Sequence, residues 1–290
     1  MIKAEVERPP LVSIVTPTFN SSKYLEQLLV SVETQSYSQI EHIVIDDGST
    51  DGGQTQALLR RHPNVRWWSR ENRGQYATVN EGFMAAKGEL VTTISADDFY
   101  ADREAVADVV DHYITHDHCD IVHGDTLHVD SDGSPLPVQP YQDYPQWMIP
   151  YNPGFISHCS LFVRRDRIVA DGILFDESLR FTGDGDWMIR LYLAGYRHCR
   201  VKRFVAAYRH HTEQVSTVAS GDPASTEARR TERSAIDRRY VHNQLLKRIV
   251  NAYVTHRRRT AKVLWASRTG GISAVGTLVR AWWGRRRRPT

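Results

Sequence analysis

The sequence predicts an α/β fold, with a mostly parallel central sheet flanked by helices and a basic helical extension at the C-terminus. Three observations lead there. Strand and helix signals alternate over the first hundred residues, the pattern of parallel strands joined by crossover helices. Polar clusters follow three predicted strands directly, at Thr16–Asn20, Asp46–Ser49 and Asp97-Asp98. Ligands of such sheets bind beyond the carboxyl ends of the strands. The charge is also divided: Thr226–Thr290 holds 17 Lys/Arg against 3 Asp/Glu, while the rest of the chain holds 20 against 31.

The elements follow in order. Leu11–Thr16 is a β-rich run that Pro17 is expected to end. Ser21 or Ser22 can cap a helix in which Tyr24, Leu25, Leu28, Leu29 and Val32 recur at helical spacing. His42–Ile45 is a second strand, with a helix expected from about Asp51 to Arg61. Val65–Trp68 is a third strand, and Gln75–Lys87 reads as a helix with Gly88 as its C-cap. Leu90–Ile94 is a fourth strand. Beyond it come a helix over Arg103–His116, a strand over Asp120–His123 and a long loop over Ser131–Pro153. A strand over Ser160–Arg164, a helix over Asp186–Ala194 and a loop over His210–Thr226 follow. The remainder reads as helical, interrupted at Thr269-Gly270-Gly271.

The chain of 290 residues is 41% hydrophobic and 24% charged, ordinary values for a soluble globular protein. A domain over residues 1–220 and an extension over 221–290 are the expected division. Cys119, Cys159 and Cys199 are odd in number and lack metal-ligand spacing, which suggests reduced thiols in a cytosolic enzyme. The stretch MIKAEVERPP has no apolar core of signal-peptide type, and no run of 18 apolar residues occurs. The catalytic part is therefore expected in the cytoplasm.

Two acidic clusters carry the first chemical argument. Asp97-Asp98 at a strand end can bind a hard cation and leave positions for water and phosphate oxygens. The same acids also suit a helix N-terminus. Asp46-Asp47-Gly48-Ser49-Thr50-Asp51 offers acceptor-only carboxylates to a nucleobase imide or a ribose hydroxyl. One of those acids can equally serve only as a cap.

The ordered set of motifs resembles glycosyltransferase family 2, inverting nucleotide-sugar enzymes with a GT-A fold. The resemblance spans roughly residues 10–215. It rests on Val12-Ser13-Ile14-Val15-Thr16-Pro17-Thr18-Phe19-Asn20, on Val44-Ile45-Asp46-Asp47-Gly48-Ser49-Thr50-Asp51, on Asn72-Arg73-Gly74-Gln75 with Asn80 and Gly82, and on Ser95-Ala96-Asp97-Asp98. It implies a donor pocket lined by Thr16, Pro17, Phe19 and Asn20, with Asp47 reading the base and Asp46 near the ribose. Phe19 stands where Tyr is common, so a stacking ring remains. The resemblance further implies Asn72, Gly74 and Asn80 along the donor groove, Asp97 near the sugar or ribose, and Asp98 as ligand to Mg2+ or Mn2+. His210 or His211 is implied as a further contact to the metal or the pyrophosphate.

In Thr182-Gly183-Asp184-Gly185-Asp186-Trp187, Asp184 matches the family's catalytic base. Asp186 is the runner-up, because Gly183 replaces the Glu usual before the base. His158 and Trp187 are implied on the acceptor side, while a core Trp and a structural histidine are the alternative readings. The implied donor is a UDP-, GDP- or dTDP-sugar, and the implied acceptor a glycan or lipid-linked saccharide in surface polysaccharide biosynthesis. The membrane spans and Gln-x-x-Arg-Trp motif of processive synthases are missing from the sequence, so single additions are expected.

The extension admits two readings. Leu245, Leu246, Ile249, Val250, Tyr253 and Val254 form an apolar stripe with basic neighbours, and Trp282-Trp283 precedes Arg285–Arg288. Such a pattern suits the surface of an anionic bilayer, which would make the enzyme peripheral at the inner face of the membrane. It equally suits a helix packed on the catalytic domain. No motif for nucleic acid is found. Two rival functions remain. A sugar nucleotidyltransferase would show a Gly-rich basic loop after the first strand, where Thr16-Pro17-Thr18-Phe19-Asn20 stands instead. A non-catalytic binding module would be expected to have lost one of Asp47, Asp98 and Asp184.

Overall fold

A computed structural model describes residues 8–136, 144–214 and 221–269. Val215-Ser216, Gly270-Gly271, the Ile272–Trp283 stretch and the terminal arginine run lie outside the described residues. The elements are β1 (Val12–Thr18), α1 (Ser22–Glu33), β2 (Ile40–Asp46), α2 (Gln54–Leu59), β3 (Arg66–Ser69), α3 (Gln75–Ala85), β4 (Leu90–Thr93), β5 (Phe99–Tyr100) and α4 (Ala105–Thr115). Then come β6 (Ile121–Val129), β7 (Leu161–Arg164), α5 (Arg165–Ala170), α6 (Gly183–Leu193), β8 (His198–Arg209), α7 (Pro223–Tyr240) and α8 (Gln244–Thr269). Short 3-10 turns at Gln146–Met148 and Pro153–Phe155 break the stretch expected as a long loop, and a third follows at His158–Ser160.

One eight-stranded sheet has the order β3-β2-β1-β4-β7-β6-β8-β5. The β3-β2-β1-β4 half is parallel throughout, as the alternation predicts. β7 runs antiparallel between β4 and β6, and β5 antiparallel to β8, so the whole sheet is mixed. Apolar residues of β1 alternate between two cores. Val12 and Ile14 join Leu25, Leu28 and Leu29 of α1 and Val106 and Val109 of α4. Val15 joins Val79 and Phe83 of α3, Trp187 of α6, Ile236 of α7 and Val250 and Val254 of α8.

Several expectations need correction. Pro17 does not end β1. The Val15 carbonyl accepts from Ile94 N at 3.1 Å, and Pro17 shares Val15's parity on a side where β4 has already stopped. The missing N–H therefore costs no ladder bond. Gly88 is not a left-handed cap. α3 ends at Ala85, and a Cβ on Gly88 would lie 2.6 Å from Ser13 N, so glycine is required by the close approach of β1. The three thiols are not all free. Cys199 on β8 lies against Cys119, just before β6, with Cα atoms 6.1 Å apart, and the two are joined as a disulfide. Cys159 is free and buried. The twelve-residue β8 was not anticipated, because Lys202 and Arg203 interrupt its apolar pattern.

Part of the extension packs on the domain: Ile236, Val241, Val250 and Val254 are buried. Among the described residues no helix is long and apolar enough to cross a membrane.

Candidate active site

The loops after β1 and β2 are stitched together. Asn20 adopts φ +51°, a conformation Asn tolerates better than most residues. From there its N–H donates to Ser49 Oγ at 2.8 Å and its Oδ1 accepts from Thr50 N at 2.7 Å. Asp46 is fully buried and accepts from Ser49 N and from Gln56 Nε2, each at 3.0 Å. Burial alone would raise its pKa, but these bonds outweigh it and hold the carboxyl below the usual range. Asp47 accepts from Arg73 N at 2.8 Å, from Gly74 N at 3.0 Å and from the Arg70 guanidinium. Gly48, at φ +77°, lets these loops meet: a Cβ there would lie 2.9 Å from Asn72 N.

The expected donor residues therefore divide. Phe19, Asn20, Asn72 and Gly74 are exposed and Pro17 is half-buried. Thr16 does not line an open surface. It is fully buried, with Oγ1 3.0 Å from His42 Nε2. Asn80 is likewise buried. Its Nδ2 donates to the Phe175 carbonyl at 2.9 Å and to Glu177 Oε1 at 3.0 Å, and its Oδ1 accepts from Phe175 N. That amide is spent on holding the segment before α6.

Asp97 and Asp98 follow β4. Asp98 is 1% exposed. Its Oδ1 accepts from Arg209 N at 2.9 Å, while its Oδ2 is buried without a hydrogen-bond partner among the described residues. Burial, then the charge of Asp97, raises its pKa well above the ordinary value. An orphaned buried carboxylate oxygen is costly unless a cation or proton joins it. Its chemistry fits a hard divalent cation completed by phosphate oxygens and water. Among the described residues no three His, Cys, Asp or Glu side chains gather at metal-binding spacing, so few ligands would be protein groups. His211 Nε2 lies 2.9 Å from Asp97 Oδ2. His210 turns away and pairs with His128, Nε2 to Nδ1 at 2.7 Å. Of the two histidines, only His211 reaches the acidic pair.

No local sequence signal marks Arg209, which ends the poorly alternating strand β8. It is 2% exposed. Nε donates to the Asp97 carbonyl and Nη1 to the Ser131 carbonyl, both at 2.9 Å, and Nη2 donates to Gln27 Oε1. Its guanidinium also lies over the rings of Tyr24 and Phe99. One buried cation thus ties α1, the turn after β6 and the acidic pair together.

Asp184 sits in the first turn of α6. Its carboxylate is half-exposed, with His158 Nδ1 3.9 Å from Oδ2. The turn beneath it is held tightly. Glu232 of α7 accepts from Arg180 N, Phe181 N, Thr182 N and Thr182 Oγ1 at 2.8 to 3.1 Å. Tyr76 Oη accepts from Gly183 N at 3.0 Å. Burial, then the Asp184 charge, raises the Tyr76 pKa, so the phenol stays neutral. Asp186 is fully buried and committed: Oδ2 accepts from Arg190 Nε at 2.7 Å and Oδ1 from Tyr240 Oη at 3.1 Å. Trp187 is not an acceptor platform. It is 2% exposed, stacks on Phe175 with centroids 4.4 Å apart and donates to the Ile173 carbonyl. Its size and its single donor are both satisfied in the core.

This arrangement can be set beside known proteins. The model of Glycosyl transferase family 2 matches residues 13–168. The chain belongs to glycosyltransferase family 2. An uncharacterized glycosyltransferase of Rickettsia felis is 30% identical over 219 residues, covering 71% of this chain and 35% of that protein. The chain thus spans about a third of that relative's length. Glycosyltransferase GlyG of Streptococcus pneumoniae serotype 4 is 34% identical over 128 residues, covering 43% of this chain and 42% of its own. Among solved structures, S. aureus TarS 1–349 in complex with UDP-GlcNAc has a TM-score of 0.64 at 20% identity, covering 93% of this chain and 81% of that one. Mannosyltransferase PcManGT from Pyrobaculum calidifontis, in complex with GDP-Man and Mn2+, has a TM-score of 0.58 at 16% identity, covering 98% and 82%. The fold of this family 2 member is GT-A.

Proposed function

We propose that this glycosyltransferase moves a sugar, with inversion, from a nucleotide-sugar donor of UDP, GDP or dTDP type to a hydroxyl of a glycan or lipid-linked saccharide. Surface polysaccharide assembly in the cytoplasm, at the inner face of the membrane, is the setting we assign. Residues 1–220 form the catalytic domain, and residues 221–290 an extension that contributes Glu232 to it.

The observation that carries this reading is the division among the acids. Asp46, Asp47 and Asp186 have carboxylates filled by hydrogen bonds. Asp98 Oδ2 has no partner, and the Asp184 carboxylate accepts no hydrogen bond among the described residues. These are the two groups the chemistry needs uncommitted. Mg2+ or Mn2+ at Asp98 would neutralise charge on the departing diphosphate. Asp184 accepts the proton of the acceptor hydroxyl as that oxygen attacks the anomeric carbon opposite the diphosphate. His158 is placed to orient the acceptor or the base. The exposed ring of Phe19 offers a stacking face to the nucleobase, and Asn72 and Gly74 border the donor. TarS was solved with UDP-GlcNAc and PcManGT with GDP-Man and Mn2+, which supports a nucleotide-sugar donor and a divalent metal here.

Thermal melting with UDP, GDP, dTDP and CDP, each with and without Mn2+, tests the reading. A metal-dependent rise with one nucleotide, abolished in Asp98→Ala, is expected. Folded protein that responds to none would overturn it.

A further inference from the structure

We propose that α8 carries a membrane-docking face that sets the acceptor side of the site against an anionic lipid bilayer. This rests on the reading of the acceptor as lipid-linked. The juxtaposition is of Leu245, Ile249 and Tyr253 on one ridge of α8 with Asp184, one loop away.

α8 has two apolar ridges. Val250 and Val254 face the domain and are 1% exposed. Leu245, Ile249 and Tyr253, spaced four residues apart, form a second ridge that is 68%, 55% and 41% exposed. Residues at this spacing lie along one line of the helix. At 3.6 residues per turn, Arg248 and Arg259 fall beyond the outer edge of that line. Both are exposed and carry no ion pair among the described residues. Beside the ridge, Tyr144 packs edge-on against Tyr253, and the same segment presents Trp147, 45% exposed. Exposed aliphatics, an indole and a phenol bordered by arginine match the layered polarity of a bilayer surface.

Charge decides which occupant the ridge takes. Residues Thr226–Thr290 carry 17 Lys/Arg against 3 Asp/Glu. In a two-fold contact of this face with itself, a second copy would bring the same basic surface and be repelled. An anionic headgroup layer attracts each of those residues. The chain after α8 adds Trp282-Trp283 and Arg285–Arg288 to the same extension.

The face is also connected to the site. Asn152 Nδ2 donates to Asn251 Oδ1 of α8 at 2.8 Å, and Arg258 donates to the Gly154 carbonyl at 2.6 Å. A Cβ on Gly185 would lie 3.2 Å from Pro153 Cγ. The 152–154 turn therefore spans from α8 to the residue following Asp184. A bilayer on the ridge brings a lipid-anchored saccharide to the side of the site where the candidate base stands.

Flotation of the full chain with phosphatidylcholine vesicles and with mixed phosphatidylcholine–phosphatidylglycerol vesicles, at low and high salt, tests this. Binding only to the mixed vesicles, weakened by salt, is expected. Leu245→Ser with Ile249→Ser should lower partitioning about tenfold at unchanged melting temperature, and Arg248→Glu with Arg259→Glu should reduce the preference for anionic lipid. Equal binding by the serine variant would overturn the proposal. So would failure to bind mixed vesicles, or a self-association abolished by the same substitutions. None of these readouts involves nucleotide, so a missing Mn2+-dependent melting shift would count against the catalytic reading alone.

Discussion

Glu232 on α7 holds Thr182 by both its N–H and its hydroxyl, at 3.1 and 2.9 Å, two residues before the candidate base. A carboxylate that also receives Arg180 N and Phe181 N pins the turn leading into α6 from another element. The extension is in this respect part of the framework of the proposed site. Bonds to a charged acceptor contribute about 1.5–3 kcal/mol each in favourable settings. Glu232→Ala should lower kcat at least about tenfold by loosening Asp184, with the nucleotide-induced melting shift retained. Steady-state kinetics beside nucleotide melts checks this. A fall in nucleotide affinity with kcat intact would show that Glu232 serves the donor instead.

The two acids of α6 separate by experiment. Asp184→Asn should cost about 10²–10⁴-fold in transfer, the range of a general base, and leave stability and nucleotide binding unchanged. Asp186→Asn should do the reverse, because it breaks a buried pair with Arg190. A loss of about 3–5 kcal/mol is typical of such a break. Denaturant melts of both variants, alongside transfer assays, give the assignment. Full activity in Asp184→Asn removes the proposed base.

Arg209 should prove as sensitive as the acids it supports. Arg209→Lys keeps the charge but replaces a planar fork with a single ammonium. It cannot reach the Asp97 carbonyl, the Ser131 carbonyl and Gln27 together. Weaker Mn2+-dependent nucleotide binding is expected, with the parent fold shown by circular dichroism. An unchanged Mn2+ response would limit Arg209 to a packing role.

What the sequence made legible follows from how local each signal is. β1, β2 and β4 are apolar runs ended by polar turns, and parallel strands buried on both faces read this way. The mixed second half was less visible. β8 alternates poorly, and its pairing with β6 shifts register twice near Asp125. Residues that matter through distant partners were silent. Glu232 reads as one more acid on a polar helix, and Arg209 as a basic residue before two histidines. Trp187 is ambiguous in the opposite way, since a Trp beside acids looks the same whether it faces substrate or core. Asn80 and Thr16 follow the family pattern in sequence, yet their polar atoms are used inside the fold. The disulfide depends on the β6–β8 register across 80 residues, which composition cannot supply.

That disulfide predicts a thiol count. Titration under denaturing, non-reducing conditions should find one free thiol, Cys159, and three after reduction. Linking residues 80 apart restricts the unfolded chain, and breaking such a link costs about 2–4 kcal/mol. Cys199→Ser should melt at lower temperature and lose its sensitivity to reductant. Three thiols before reduction would rule out the pair.

Acid should weaken the fold in a window set by buried histidines. Burial, with His62 nearby, holds the His42 pKa down to about 3. Burial, then His198, Arg200 and His112, does the same for His123, also to about 3. In the unfolded chain both titrate near 6.5. Between these values the unfolded state binds protons that the folded state refuses, so stability falls as pH drops below about 6.5. Each histidine contributes a slope of up to about 1.4 kcal/mol per pH unit. Asp98 acts with the opposite sign, because its raised pKa favours the folded state on acidification. The comparison that isolates the histidine effect is therefore between parent and variant. His123→Leu removes a buried ring whose Nδ1 has no hydrogen-bond partner among the described residues. Urea melts from pH 7.5 to 5 should show a shallower decline in this variant. Parallel curves for parent and variant would show that His123 already takes up its proton in the folded protein.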